Sequence, residues 1–135
     1  MRKLAQFLTP VETYDHKPYV INGEFQKGLV VNQTVIRWVT SDGLLVSVPI
    51  GFVHDLSSLP WFVGWWMKKL GKHQRAGSLH DFLYTERPGG MSYAYYDKEF
   101  LLAMKFDKVG YLKRYAMYAG VRLYSSVYHR LGYLP

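Results

Sequence analysis

The chain changes its pattern of apolar residues once, near residue 58, and this change restricts the fold more than any other feature. Residues 1–50 contain short apolar and β-branched runs separated by turn residues, a pattern typical of β-strands. Residues 58–130 contain longer segments whose apolar residues recur at helical spacing and which end at glycine or proline. We therefore predict an α+β fold, in which a small N-terminal antiparallel sheet precedes three to four α-helices.

The β half is punctuated by two turn signals. Lys17 to Ile21 is followed by Asn22-Gly23, a pair that favours a two-residue hairpin because both positions tolerate positive φ. The run from Gln33 to Thr40 is followed by Ser41-Asp42-Gly43, and Leu44 to Val48 returns along it. These runs predict antiparallel strands, and Pro49 and Gly51 are expected to end the sheet.

The α half begins at Ser58-Leu59-Pro60, where Ser58 can cap a helix and Pro60 suits its first position. The spacing predicts helices over 61–70, about 72–84, about 92–108 and 111–129. Neither half is large enough to bury a core alone, so residues 1–135 are expected to form a single domain, mainly β over 1–50 and mainly α over 58–130.

Composition excludes several classes of protein. The absence of cysteine excludes disulfides, thiolate nucleophiles and zinc sites built on cysteine. The longest apolar run, Leu59 to Met67, is far shorter than the roughly 20 residues that cross a bilayer, and no secretion signal is visible. The net charge is +7, and 12 of the 17 Lys and Arg residues lie after residue 60. A basic surface of this kind can attract acidic proteins, nucleic acid or anionic lipid.

One short motif carries the residue types of hydrolytic chemistry. In His80-Asp81-x-x-Tyr84 the first and last side chains share a helix face. A histidine titrates near neutrality, so His80 is predicted to be a general base, which a carboxylate of Asp97 or Asp55 would orient. Asp81 and Asp55 are the predicted ligands of a divalent cation. The predicted catalytic residues are thus His80, Asp97 and Tyr84.

A purely structural role is the alternative for each of these residues. Asp55 can bond the free N–H groups of the following helix, His80 can bond a core carbonyl, and Asp97 can complement a helix dipole. The motif also looks like the His-Asp-x-x-Tyr helix of secreted phospholipases A2, but the calcium loop and cysteines of those enzymes are missing. The residue types of HD phosphohydrolases are present too, although those enzymes are entirely helical.

Two helices carry unusual surfaces. The segment with Trp61, Phe62, Trp65 and Trp66 predicts one broad aromatic face, which suits docking to a partner, packing on the sheet or contact with a membrane surface. Tyrosines alternate with basic residues, Arg122 among them, along the last helix. This composition favours protein interfaces, and it also suits single-stranded nucleic acid, although no recognised nucleic-acid motif accompanies it.

Three motifs between residues 49 and 104 resemble a known family. They are Pro49-x-Gly51-Phe52-x-x-Asp55-x-x-Ser58-x-Pro60, Ala76-x-x-x-His80-Asp81-x-Leu83-Tyr84 and Asp97-x-x-Phe100-x-x-Ala103-Met104. The chain is similar to an uncharacterised family of small proteins encoded by tailed bacteriophages and prophages, a domain of unknown function. It differs from that family at His54, where a small polar residue is usual.

The resemblance implies a phage origin, and hence a place in the host cytoplasm or the virion. It leaves two hypotheses for function. The first is a small phage hydrolase that uses the His80 motif, with a divalent cation as its expected cofactor. The second is a non-enzymatic virion component or interaction protein. This protein would dock to a phage or host protein through Trp61, Phe62, Trp65, Trp66 and Arg122.

Overall fold

The computed structural model describes residues 4–10, 14–54 and 74–132 of the chain. Six strands come first: β1 Gln6–Phe7, β2 His16–Ile21, β3 Glu24–Asn32, β4 Ile36–Val39, β5 Leu45–Val48 and β6 Val53–His54. Three helices follow: α1 Gln74–Glu86, α2 Tyr93–Phe106 and α3 Tyr111–Arg130, with a 3₁₀ turn at Pro88–Gly90 between the first two. The predicted α+β class is confirmed.

The strands form two antiparallel sheets rather than the one that the sequence predicts. One sheet has the order β1-β4-β5 and the other has the order β2-β3-β6. The β2–β3 hairpin closes at Asn22 and Gly23, whose φ angles are 51° and 80°, as the turn signal predicts. The bounds of β3 were not predicted, although the hairpin signal implies a strand after Gly23. The short strands β1 and β6 were not predicted either, because two-residue strands carry almost no periodic signal.

The β4–β5 pair packs one face against the helices. Ile36 and Trp38 are buried on β4 while Arg37 is exposed, and Val46 and Val48 are buried on β5. This alternation is the period-2 pattern of a half-buried sheet. The predicted strand over 33–40 is shorter than expected, since only Ile36–Val39 pairs with β5, and β1 pairs with Trp38 and Val39 alone.

Local sequence signals explain where the helices begin and end. Ser92 caps α2, because its side chain accepts a hydrogen bond from the backbone N–H of Tyr95. The helix α1 ends at Glu86, before the Pro88-Gly89-Gly90 turn, and α2 ends before Lys108, which has a positive φ. The predicted helix over 61–70, its start at Ser58-Leu59-Pro60 and the class boundary near residue 58 lie outside the described residues.

The core lies between the β1-β4-β5 sheet and the helices. Its largest fully buried side chains are Trp38, Tyr96, Phe100, Ile36, Leu79, Leu83, Met104 and Met117. The polar edge of Trp38 is satisfied inside it, because Nε1 donates to Oε1 of the buried Glu99 at 2.9 Å. The other oxygen of Glu99 accepts the hydroxyl of Ser41 at 2.7 Å, so this carboxylate joins α2 to the sheet. No helix in the described part of the chain is long and apolar enough to span a membrane.

Candidate active site

The side chains of the predicted site come from three helices that pack on one another. His80, Asp81 and Tyr84 lie on α1, and Asp97 lies one turn into α2. Arg122, on α3, reaches the same point. The fold therefore brings the His-Asp-x-x-Tyr motif and Asp97 together, as the sequence predicts, and adds a basic residue that was predicted to serve docking.

The Asp97 carboxylate is fully buried, with 0% exposure, and accepts hydrogen bonds on both oxygens. Its Oδ1 accepts from Nε2 of His80 at 2.8 Å and from the hydroxyl of Tyr84 at 2.6 Å. Its Oδ2 accepts from Nη1 of Arg122 at 2.9 Å and from the hydroxyl of Ser125 at 3.2 Å. Four donors thus surround one carboxylate, and a carboxylate offers only acceptors when it is ionised.

These donors determine the charge state of Asp97. Burial alone would raise the pKa of this carboxyl group, because it disfavours the charged form. The hydrogen bond and charge of His80, together with the bonds from Tyr84 and Arg122, outweigh burial and hold the pKa of Asp97 below its ordinary value. Burial and the adjacent negative charge raise the pKa of the Tyr84 phenol, so Tyr84 remains a donor.

The His80 ring is held tightly, and its two nitrogens differ. The ring lies between Tyr84 and Phe100, with centroid distances of 4.4 and 4.6 Å, and is only 5% exposed. An ionised carboxylate only accepts hydrogen bonds, so Nε2 is the donor to Asp97, and in a neutral imidazole the lone pair is then on Nδ1. This Nδ1 is buried and has no hydrogen-bond partner among the described residues.

His80 also lines a cleft of about 290 Å³, the first cleft. Asp81 and Tyr84 line the same cleft. The remaining lining is largely apolar and aromatic, and comes from Leu29, Phe52, Val53, His54, Thr85, Val121 and Tyr124. Its volume is close to the lower end of the range of small-molecule sites.

A second buried polar network lies beside the first cleft and was not predicted. Nε2 of His54 lies 2.8 Å from Oδ1 of Asn32, and Nδ2 of Asn32 donates to the hydroxyl of Ser78 at 2.7 Å. The hydroxyl of Tyr14 donates to the same Asn32 oxygen at 3.2 Å. His54 thus ties β6 to β3, and its Nδ1 lies 4.0 Å from Oδ2 of Asp81.

Of the two predicted metal ligands, only Asp81 lies among the described residues. Asp81 is partly buried and lines the first cleft, and Asp55 lies outside the described residues. Across residues 4–10, 14–54 and 74–132, no three His, Asp or Glu side chains are arranged to hold a metal ion. The predicted docking residues Trp61, Phe62, Trp65 and Trp66 also lie outside the described residues.

Arg122 and Ser125 are the members of the site whose role sequence reasoning missed. They are three residues apart and therefore share a face of α3, which is the one signal that could have paired them. Nothing in the sequence indicates that this face meets Asp97 rather than solvent.

Comparison with known proteins gives one match. The family described as "Protein of unknown function (DUF1353)" matches residues 30–121, which is more than half of the chain and includes every described residue of the Asp97 cluster except Arg122 and Ser125. No curated protein and no solved structure matches the chain. The expectation of a domain of unknown function is therefore confirmed, and the chain belongs to the DUF1353 family.

Proposed function

We propose that this protein is a small hydrolase in which His80 is the general base and Asp97 orients it. The observation that carries the proposal is the asymmetry of the His80 ring, since Nε2 is bonded to a buried carboxylate and the buried Nδ1 has no partner in the described structure. In known acid–base sites, a carboxylate holds one ring nitrogen so that the other takes the proton.

The chemistry that this geometry supports is hydrolysis of a carboxylic ester. His80 lines the first cleft, and a small shift of its ring would bring the buried Nδ1 to the cleft. Nδ1 then takes a proton from a water molecule as that water attacks the carbonyl carbon. Asp97 stabilises the imidazolium that forms, and the proton then passes to the departing alcohol oxygen. Leu29, Phe52 and Val121 line the cleft, so we expect an apolar acyl group.

Tyr84 and Arg122 are positioning residues in this proposal. Both donate to Asp97, and neither donates to His80. Arg122 places a positive charge beside Asp97, and its hydrogen bond adds to those of His80 and Tyr84 that favour the ionised carboxylate. A divalent cation at Asp81 and Asp55 stays a prediction, since one of its two ligands lies outside the described residues.

Two isosteric variants test the role of Nδ1. The amide nitrogen of Gln in His80→Gln replaces Nε2 and keeps the bond to Asp97, whereas His80→Asn loses that bond. Both variants are expected to lower kcat/KM for p-nitrophenyl esters of graded acyl length by about a hundredfold or more. Only His80→Asn should lower the free energy of unfolding markedly, by about 2 kcal/mol, because it leaves Asp97 short of a donor.

Glu86→Gln, at the exposed end of the same helix, is the matched control and should retain the wild-type rate. Wild-type turnover by His80→Gln would refute the proposal. So would a wild-type protein that hydrolyses none of the esters faster than buffer does.

A specific feature of α3 supports a second candidate function, that of a phage protein which docks to a protein partner. An apolar stripe along α3, formed by Leu112, Ala116, Ala119, Leu123 and Val127, recurs at spacings of three and four residues. Leu112 is 73% exposed and Leu123 is 56% exposed. The helix contains no acidic residue, so the partner would present an apolar surface rimmed by Asp or Glu.

On the resemblance to phage proteins, we propose the host cytoplasm or the virion as the location of either function. The two candidates are compatible in space, because the stripe lies on the face of α3 opposite to the buried Met117 and Val121. Exchange of Leu123 and Val127 for glutamine is expected to abolish docking and to leave ester hydrolysis unchanged.

A further inference from the structure

A second cleft, of about 360 Å³, lies on the other side of the Asp97 cluster and carries positive charge. Its lining includes Arg87, Arg122, Ser125, Ser126 and His129. None of the described residues that line it is acidic. Arg122 is already paired with the buried Asp97, which does not line this cleft, whereas Arg87 has no carboxylate partner among the described residues. The cleft therefore carries one uncompensated positive charge beside a second guanidinium group, which indicates a site for an anion.

Arg87 is fixed before any ligand arrives. Its Nη2 donates to the carbonyl oxygen of Met91 at 2.8 Å, and its guanidinium lies 4.7 Å from the centre of the Tyr93 ring. Its Nε is buried and has no hydrogen-bond partner in the described structure. A buried donor without an acceptor is costly, so a small shift of the side chain that brings Nε to an anion in the cleft would be favoured.

Arg122 is held from the opposite side. All the hydrogen bonds that it makes to described residues run through Nη1, which donates to Asp97 and to Ser125 at 2.9 and 3.2 Å. Its side chain is 32% exposed, so the remaining N–H groups of the planar fork are left for a ligand. Ser125 and Ser126 add hydroxyl donors beside it.

The beginning of α2 forms a third part of the wall. Ser92, Tyr93 and Ala94 line the cleft, and they are the cap and first residues of a 14-residue helix. Backbone N–H groups at this end lack intrahelical acceptors, and the helix dipole favours negative charge there. This contribution adds to the two arginines, which by themselves define the site.

We propose that the second cleft binds the phosphate group of a small phosphate monoester. Tetrahedral phosphate oxygens match the forked donors of two arginines and the adjacent hydroxyl groups. The cleft has the volume of a small-molecule site and exceeds what a bare phosphate ion needs, and the Tyr93 ring forms part of its wall. The ligand therefore carries an organic group in addition to phosphate.

Isothermal titration calorimetry with inorganic phosphate and with phenyl phosphate tests the proposal on the full chain. We expect saturable binding of phenyl phosphate, and weaker binding of inorganic phosphate at the same site. Arg87→Gln should weaken both affinities by about tenfold or more, because it removes the charge and the fork. Arg87→Lys, which keeps the charge, should weaken them less.

Arg130→Gln is the matched control, since Arg130 is an exposed arginine at the end of α3 that does not line the cleft. It should change either affinity by less than about twofold. Wild-type protein and Arg130→Gln should also gain thermal stability from phenyl phosphate, and Arg87→Gln should gain none at the same concentration.

Absence of saturable binding up to about 10 mM of both ligands would overturn the proposal. Equal affinities of wild type and Arg87→Gln would do so as well. Equal affinities for the two ligands would retain the phosphate site and remove the organic group from the proposal. None of these measurements depends on ester hydrolysis. The proposal of a phosphate site can therefore be refuted while the His80 proposal stands, and the His80 proposal can be refuted while the phosphate site stands.

Discussion

At the scale of single residues, Asp97 is the side chain on which the others depend. It is fully buried, and its four hydrogen bonds come from residues on α1 and α3. Besides the predicted role of orienting His80, the sequence also allowed a structural role, that of a carboxylate complementing the start of α2. Ser92 caps that helix instead, and the Asp97 side chain points into the helix interface.

Asp97→Asn should lower the free energy of unfolding by about 3 kcal/mol at neutral pH, because an amide nitrogen would then face a donor of His80 or Arg122. The size of this loss should depend on pH. The pKa of Asp97 is lower in the folded chain than its ordinary value of 3.8, so the unfolded chain takes up the proton first as pH falls. The stabilisation is therefore complete above about pH 5 and is lost as pH falls through about 4 toward the folded pKa.

Urea unfolding of both proteins at neutral pH and near pH 3 measures this dependence. The difference between wild type and Asp97→Asn should be largest at neutral pH and smaller near pH 3. Glu86→Gln also removes one carboxylate. The difference between its free energy of unfolding and that of wild type should not decrease from neutral pH to pH 3. A difference that stays constant with pH would contradict an ionised, donor-bound Asp97.

At the scale of elements, the β2–β3 hairpin shows how much of the strand pairing a two-residue turn signal determines. Asn22 and Gly23 both have positive φ, and Ile21 pairs with Glu24 across the two-residue turn. The primed turn matches the twist of the strands on either side, so two residues determine the register of the pairs next to the turn. The register shifts between Pro18 and Val20, beyond the reach of this signal. By contrast, no short segment of the sequence determines how the three helices pack on one another.

Gly23→Ala should lower the free energy of unfolding by about 1 kcal/mol. A Cβ at this position would meet no atom within 4 Å, so the whole effect comes from the backbone at φ +80°. Gly23→Asn adds a larger side chain but tolerates positive φ, and should therefore cost less than Gly23→Ala. Urea denaturation ranks the two variants, and a larger cost for Asn would show that space rather than φ limits the position.

At the scale of the whole molecule, α2 connects the layers through buried carboxylates. Asp97 bonds to α1 and α3, and Glu99, two residues later, bonds to Trp38 and Ser41 of the sheet region. Asp107, just past the end of α2, pairs with Arg75 at the start of α1, where Nε donates at 3.0 Å. The two clefts therefore lie on either side of a frame that these carboxylates hold together.

The exposed stripe of α3 is a property of the whole molecule, because only packing shows which face is left uncovered. A photoreactive amino acid at position 123 should cross-link to a protein partner, while one at position 45, also exposed and apolar but on β5, should not. Leu123→Gln with Val127→Gln should remove the complex and leave the melting temperature within a few degrees. High salt should weaken the complex, since the rim of α3 is basic. Equal cross-linking at both positions would rule out docking through α3.

The sequence by itself determined the α+β class, the Asn22-Gly23 hairpin and the shared face of His80 and Tyr84. Each of these depends on residues within one or two turns of each other, where spacing and φ preference act directly. The contact between His80 and Asp97, which was one of two options in the sequence, was decided only by the packing of α1 on α2.

The tertiary structure alone decided that Arg122 and Ser125 meet the same carboxylate and that a cationic cleft opens beside it. Such contacts join residues on different helices, and they depend on crossing angles and loop paths rather than on local periodicity. A buried carboxylate needs donors for all its lone pairs, but the chain offers many donors, and only packing selects the ones that reach it.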